Sequence, residues 1–148
     1  MTDQTSGERF IAALKGKHPS RDTRYGMIFQ IGDVEVILKH NPRESNGRDV
    51  ELHSIISGRK SQGQGSAVLS GLTRLADQYD IILSLYARAM DGKPTSTKRC
   101  VEWYRRHGFT MENARNDNWQ PYVDGAEADH IGADMWREPL AHKGEAHG

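Results

Sequence analysis

Arg59-Lys60-Ser61-Gln62-Gly63-Gln64-Gly65-Ser66 lies between a β-type pattern and a helical one, and its residue types point most directly to chemistry. Two glycines two apart let the backbone approach a ligand closely. The helix that follows opens with unpaired N–H groups and the positive end of its dipole, the arrangement that holds phosphates at helix N-termini. Lys60 and Arg59 add positive charge at the same spot. Together these residues can cradle a pyrophosphate, although a tight structural turn accounts for an isolated Gly-x-Gly as simply. The stretch is not a dinucleotide fingerprint, because Val68 stands where the third glycine belongs and no βαβ unit opens the chain. Nor is it a Walker loop, since no Gly-Lys-Ser/Thr follows.

About 40 residues further on comes Val101-Glu102-Trp103-Tyr104-Arg105-Arg106-His107-Gly108-Phe109. Taken alone, it reads as a core aromatic, Tyr104, followed by a Gly-Phe helix stop that leads into a strand. Cys100 precedes Tyr104 by one helical turn and reads as small core filling, because a nucleophilic thiol needs an activating base that this spacing does not supply. Asp129-His130 has no partner at metal-ligand spacing, so no metal site is expected.

The two segments together resemble the GNAT superfamily of N-acetyltransferases. That family carries Arg/Gln-x-x-Gly-x-Gly/Ala at the end of its fourth strand, and this chain has Lys60-Ser61-Gln62-Gly63-Gln64-Gly65 followed by Ser66-Ala67-Val68-Leu69. Lys60 replaces the usual Arg or Gln and keeps a charge. The family's other signature is a tyrosine followed after three residues by Gly-Phe, matched by Tyr104 to Phe109. The resemblance covers about Tyr25 to Pro139. It implies that Lys60, Gln62, Gly63, Gln64, Gly65 and Ser66 bind the pyrophosphate of coenzyme A, and that backbone at Ser54 and Ile55 meets the acyl-pantetheine arm where a strand splays. It also implies that Tyr104 protonates the departing thiolate, a task suited to a phenol whose ordinary pKa of about 10 lies near that of an alkyl thiol. The family often has Asn seven residues before that tyrosine; here Thr97 departs from the pattern. Acetylation needs a neutral amine, so a base or water chain must take one proton. Glu51 is the candidate base, and His53 shares its strand face. Ordinary solvent exposure or strand pairing would equally explain both.

These groups need a scaffold. Phe10, Ile11, Ala13 and Leu14 predict a helix over 8–17, and Pro19 to Arg24 reads as a polar turn. Residues 25–31 and 34–38 read as strands joined by Gly32-Asp33, a hairpin signal, and 49–57 as a third strand. Val68, Leu69, Leu72, Leu75, Ala76 and Tyr79 form one apolar helical face. A buried strand over 81–87, an amphipathic helix over 95–107 capped by Gly108, and strands over 109–112 and 133–137 complete the pattern. No strand signal precedes the first helix. The expected fold is α/β, a GNAT-like twisted mixed sheet of about six strands flanked by helices, in one domain over 1–140 with a flexible tail over 141–148.

Composition narrows the function. Lys+Arg and Asp+Glu both number 20, which weighs against a dedicated nucleic-acid binder. No apolar run approaches the roughly 18 residues of a membrane span. Met1 to Arg9 lacks a signal-peptide pattern, and one cysteine excludes an internal disulfide, so the cytoplasm is the default compartment. The polar stretch 113–132 and its flanks carry Glu112, Asp117, Asp124, Glu127, Asp129 and Asp134 against Arg115, with Trp119 and Tyr122 among them. If that stretch borders the acceptor mouth, its charge favours a cationic amine. The expected activity is transfer of an acetyl group from acetyl-coenzyme A to a small-molecule or protein amine. Two alternatives stand beside it: an enzyme of this fold that modifies a DNA nucleobase, as in a phage, and a non-catalytic coenzyme A-binding module. The oligomeric state is open, a homodimer included.

Overall fold

The computed structural model describes residues 5–57, 64–88, 94–111 and 132–140. In chain order the elements are α1 (Ser6–Lys15), β1 (Ser20–Thr23), β2 (Gly26–Ile31), β3 (Val34–Asn41), a 3-10 turn (Ser45–Gly47), β4 (Asp49–Ser57), α2 (Gln64–Tyr79), β5 (Ile82–Ala87), α3 (Pro94–Arg106), β6 (Thr110–Met111) and β7 (Ala133–Arg137). Seven strands form one mixed sheet in the order β1-β2-β3-β4-β5-β7-β6. The described residues divide into two compact units, with boundaries at Leu83/Ser84 and Arg137/Glu138.

In the first unit, β1 to β4 form an antiparallel meander. Alternation decides its faces. Val34, Val36 and Leu38 are buried along β3, with the residues between them half-buried. Helices α1 and α2 pack against each other and against this sheet, closing a core that includes Phe10, Leu14, Phe29, Leu69 and Leu72. The hairpin expected at Gly32 is present, with φ of 61° at that glycine. The seventh strand is β1, where the sequence reads as a polar turn. Ser20, Arg21 and Asp22 are exposed, so the strand carries no apolar alternation and is held through its ladder to β2. Such polar edges discourage pairing with other chains.

Two contacts lock the corners of this unit. Thr5 caps α1 reciprocally with Glu8: the Glu8 N–H donates to Thr5 Oγ1 at 3.1 Å and the Thr5 N–H to Glu8 Oε1 at 2.7 Å. Just inside that cap, a Cβ on Gly7 would collide with the His40 ring, and His40 Nε2 donates to the Gly47 carbonyl at 3.1 Å. Gly47 has φ of 81°, and a Cβ there would meet Thr5 at 2.7 Å. The N-terminus of α1 sits this low on β3 and the 3-10 turn only because two side chains are missing.

At the other corner, α2 ends on Asp80, a non-glycine residue with φ of 63°. The Ile81 N–H reaches back to the Ala76 carbonyl at 2.8 Å, as in a glycine-terminated helix. Arg48 holds the bend: Nε donates to the Asp80 carbonyl at 3.1 Å and Nη2 to its carboxylate at 2.8 Å, while the Ile82 N–H donates to the Arg48 carbonyl at 2.8 Å.

The second unit holds the rest of β5 together with α3, β6 and β7. β6 and β7 pair antiparallel through Thr110↔Trp136 and Met111↔Met135. Helix α3 stops as the sequence predicts. Gly108 has φ of 94°, its N–H bonds Arg105, and the Phe109 N–H bonds the Tyr104 carbonyl at 3.2 Å. Buried Arg137 on β7 donates Nε to the His107 carbonyl at 3.1 Å, which fastens that helix end to the strand.

Arg48→Ala is expected to lower the unfolding free energy by about 1–2 kcal/mol, since the pair is charge-assisted but partly exposed. Asp80→Ala should cost more than Asp80→Gly, because glycine relieves a left-handed conformation worth about 1 kcal/mol while both lose the arginine's carboxylate partner. Urea unfolding midpoints of the three variants measure these differences.

Candidate functional site

The stretch from Ile56 into α2 is where the sequence places its ligand cradle. Lys60, Gln62 and Gly63 lie outside the described residues, as do Arg59 and Ser61. The structure describes Gln64, Gly65 and Ser66 as the opening of α2, a helix of 16 residues with no acidic side chain in its first turn. Its first N–H groups have no partner within the helix, and no nearby carboxylate on that turn offsets the dipole. Gln64 Oε1 is buried without a hydrogen-bond partner among the described residues. A buried amide oxygen left so is uncommon and calls for a partner.

Strand β4 contributes the second group. Its pairing with β3 slips by one residue: Ile37 faces Ser54, whereas Leu38 faces Leu52. His53 is therefore an extra residue in β4, a β-bulge, and bulges re-aim side chains. Upstream, Val50 and Leu52 are buried and Glu51 stands on the opposite face, across from Lys39. Downstream, Ile55 pairs with Val36 and returns to the core face, while Ser54 pairs with Ile37. Ser54 Oγ is likewise buried with no hydrogen-bond partner among the described residues.

Glu51 and His53 come together at the bulge. His53 Nδ1 lies 3.8 Å from Glu51 Oε2, and the two side chains are 47% and 41% exposed. The His53 ring also stacks on Tyr25, with centroids 5.9 Å apart and planes within 2°. Tyr25 sits in the β1–β2 turn, where its N–H donates to Thr23 Oγ1 at 3.1 Å and that hydroxyl donates to the Gly26 carbonyl at 2.8 Å. Sequence reasoning missed Tyr25 as a partner of this group. A tyrosine at a strand start carries no signal of what it will meet two strands away.

Tyr104 belongs to the second unit, on the buried side of α3. Its ring packs against Trp103 at 4.9 Å and edge-on against Phe109 at 5.5 Å. Burial pushes its phenol well above the ordinary tyrosine range, and the Cys100 thiol one turn earlier adds to the shift. Burial raises the Cys100 thiol as well. Tyr104 is thus held as a neutral phenol that keeps its proton but gives it up less readily than an ordinary tyrosine, so the match to an alkyl thiol expected from the sequence is loosened. Thr97 is fully buried in the same helix. His107 is pushed the other way, first by burial and then by the charges of Arg106 and Arg137, which favours its neutral form. Trp119, Tyr122 and the acidic residues from Glu112 to Asp129 lie outside the described residues, as does His130. Asp134 is exposed on β7.

A raised phenol pKa is also a stability statement. The folded chain resists deprotonation of Tyr104, so its contribution is fully present below the unfolded value of about 10 and is lost as pH rises above it. Tyr104→Phe should flatten the loss of stability between about pH 9 and 11 relative to wild type, as read from thermal melts across that range.

No protein-family model and no curated relative matches this sequence. Solved structures do. An acetyltransferase of the GNAT family from Streptococcus pneumoniae superposes with a TM-score of 0.53 at 18% identity, over 89% of this chain and 74% of that one. A Bacillus subtilis acetyltransferase in complex with CoA gives 0.50 at 12% identity, over 90% and 84%. Arabidopsis thaliana Naa50, in complex with the bisubstrate analogue CoA-Ac-MVNAL, gives 0.50 at 12% identity, over 93% and 96%. The mixed seven-stranded sheet with its crossover helices is therefore the fold of the GNAT acetyltransferases.

Proposed function

We propose that this chain transfers an acetyl group from acetyl-coenzyme A to an amine by direct attack. The observation that carries the reading is the pair of buried oxygens with no hydrogen-bond partner among the described residues, Ser54 Oγ and Gln64 Oε1. They fall on the two stretches where the GNAT resemblance puts the pantetheine arm and the pyrophosphate. Both fit a ligand rich in amides, because Ser54 Oγ–H can donate to a carbonyl and Gln64 Oε1 can accept from an amide N–H. The solved acetyltransferase from Bacillus subtilis, with CoA bound, supports the same choice of cofactor.

Acetyl-coenzyme A supplies an activated thioester. The chain's own groups do the rest. The first turn of α2, with Lys60, Gln62 and Gly63 ahead of it, holds the pyrophosphate. Backbone at Ser54 and Ile55 orients the acyl arm, helped by the bulge that interrupts the β4 ladder. The Glu51–His53 pair at the bulge takes one proton from the acceptor ammonium. The freed nitrogen forms the C–N bond as the C–S bond breaks. Tyr104 gives its phenolic proton to the leaving sulfur and recovers one from the new amide nitrogen through solvent.

Calorimetric titration with acetyl-coenzyme A tests the cofactor. Binding is expected at roughly 1–100 μM, and its absence at millimolar ligand would remove the transferase reading. Gly65→Asp should weaken binding more than tenfold, since a carboxylate at the start of α2 repels pyrophosphate. The same change should leave the free protein as stable or stabilise it by up to about 1 kcal/mol, because acids suit a helix N-terminus and Asp propagates a helix better than Gly. With Tyr104→Phe, the ring packing stays and the proton goes. Turnover should fall by about 10²–10⁴-fold with cofactor affinity changed less than about threefold, and equal turnover by both proteins would remove Tyr104 from the mechanism.

A further inference from the structure

The cluster at the β4 bulge contains more than a carboxylate. Glu51 alone would explain neither the bulge residue beside it nor the aromatic plane laid against that residue. His53 occupies the extra position in β4, so its side chain is not tied to the alternation that fixes Val50 and Leu52 in the core. One ring nitrogen, Nδ1, faces Glu51 at 3.8 Å, and one ring face is covered by Tyr25. Tyr25 is itself 59% exposed, held in the β1–β2 turn by the Thr23 hydroxyl. A stacked ring, itself held in a tight turn, and an adjacent carboxylate thus constrain one half-exposed imidazole from two directions. A surface histidine without a task gains nothing from such an arrangement, and an exposed tyrosine is costly to immobilise.

We infer that His53, rather than Glu51, is the group that takes the acceptor's proton, with Glu51 and Tyr25 as positioning residues. This rests on the acetyl-transfer reading above. A carboxylate beside Nδ1 favours the tautomer with hydrogen on that nitrogen, which leaves the Nε2 lone pair free. Nε2 takes one proton from the acceptor ammonium, the nitrogen lone pair so released attacks the thioester carbonyl, and the imidazolium passes its proton to solvent after turnover. Glu51 stabilises the imidazolium while it lasts and is not protonated itself. Stacking holds the ring plane so that Nε2 keeps its direction. Within the four-strand meander, the register puts Arg21, Glu35, Lys39 and Asp49 on the same face as Glu51, with Lys39 directly across from it. Counting Glu51, this face carries three carboxylates against two cations, and Glu51 is the carboxylate that the structure places within 4 Å of the ring.

The inference separates from the general reading in two experiments. The first needs no acceptor. Long-range ¹H–¹⁵N spectra of the imidazoles should show His53 with hydrogen on Nδ1 in wild type and a shift towards the Nε2–H form in Glu51→Gln. A His53 tautomer that ignores Glu51 would overturn the pairing. The second compares benzylamine, a cation near neutral pH, with phenylhydrazine, which is already neutral there, as acetyl acceptors. His53→Gln should lose about 10²-fold or more in kcat with benzylamine and less than about fivefold with phenylhydrazine. Added imidazole should restore turnover to His53→Ala in proportion to its concentration. Tyr25→Ala should lower kcat with benzylamine and leave KM for acetyl-coenzyme A alone, and Tyr25→Phe should recover most of the loss. Equal losses with both amines, or no rescue by imidazole, would sink the role of His53 while leaving acetyl transfer intact. Absence of acetyl transfer by wild type to either amine, with acetyl-coenzyme A unbound, would instead remove the reading on which the inference rests.

Discussion

One extra residue in β4 decides what the sheet can present. An unbroken strand would keep period two, placing Val50, Leu52, Ser54 and Ile56 in the core and sending Ile55 outward with Glu51. The bulge at His53 changes the count. Ile55 joins Val36 on the core face, and Ser54 moves to the side of Glu51. The apolar set then reads 50, 52, 55, a spacing of two followed by three, and the serine stands across from Ile37 on the other face. The same slip leaves a stretch of β4 without a regular ladder to β3, which is where backbone becomes available to something other than a neighbouring strand.

That irregularity was half visible in the amino-acid sequence. Val50, Leu52, Ile55 and Ile56 mix alternation with a fully apolar end, and a break in period is what a bulge looks like from the residues alone. Elsewhere the elements with strong patterns were legible: the Val34-Val36-Leu38 alternation, the helical face from Val68 to Tyr79, and the Gly108 stop. What escaped had no apolar signature. β1 is Ser-Arg-Asp-Thr, a strand made by its ladder rather than by burial. The end of α2 falls on Asp80 rather than glycine, and only the contact with Arg48, 32 residues away, shows why an acid can stand there.

The site divides along the same line. Gly65 and Ser66 could be placed at a helix start because the Gly-rich turn has a local signal. Glu51 and His53 could be placed on one strand face because alternation says so. Tyr25 could not, since its contact with His53 is set by the register of three strands and a turn. Tyr104 was legible as a residue but not as an environment. Its burial between Trp103 and Phe109, and the resulting persistence of its proton, belong to the packing of α3 and not to the spelling of its helix.

The meeting of Gly7, His40 and Gly47 has a consequence for how this chain can change over time. A methyl group at position 7 needs the space the His40 ring fills, and the His40 ring is held by the carbonyl of a residue that must itself lack a side chain. None of the three can drift alone without cost, although each lies far from the others in sequence or on a different element. In related chains these positions should vary as a set or not at all. A chain that has lost one of them should have rebuilt the seat of its first helix.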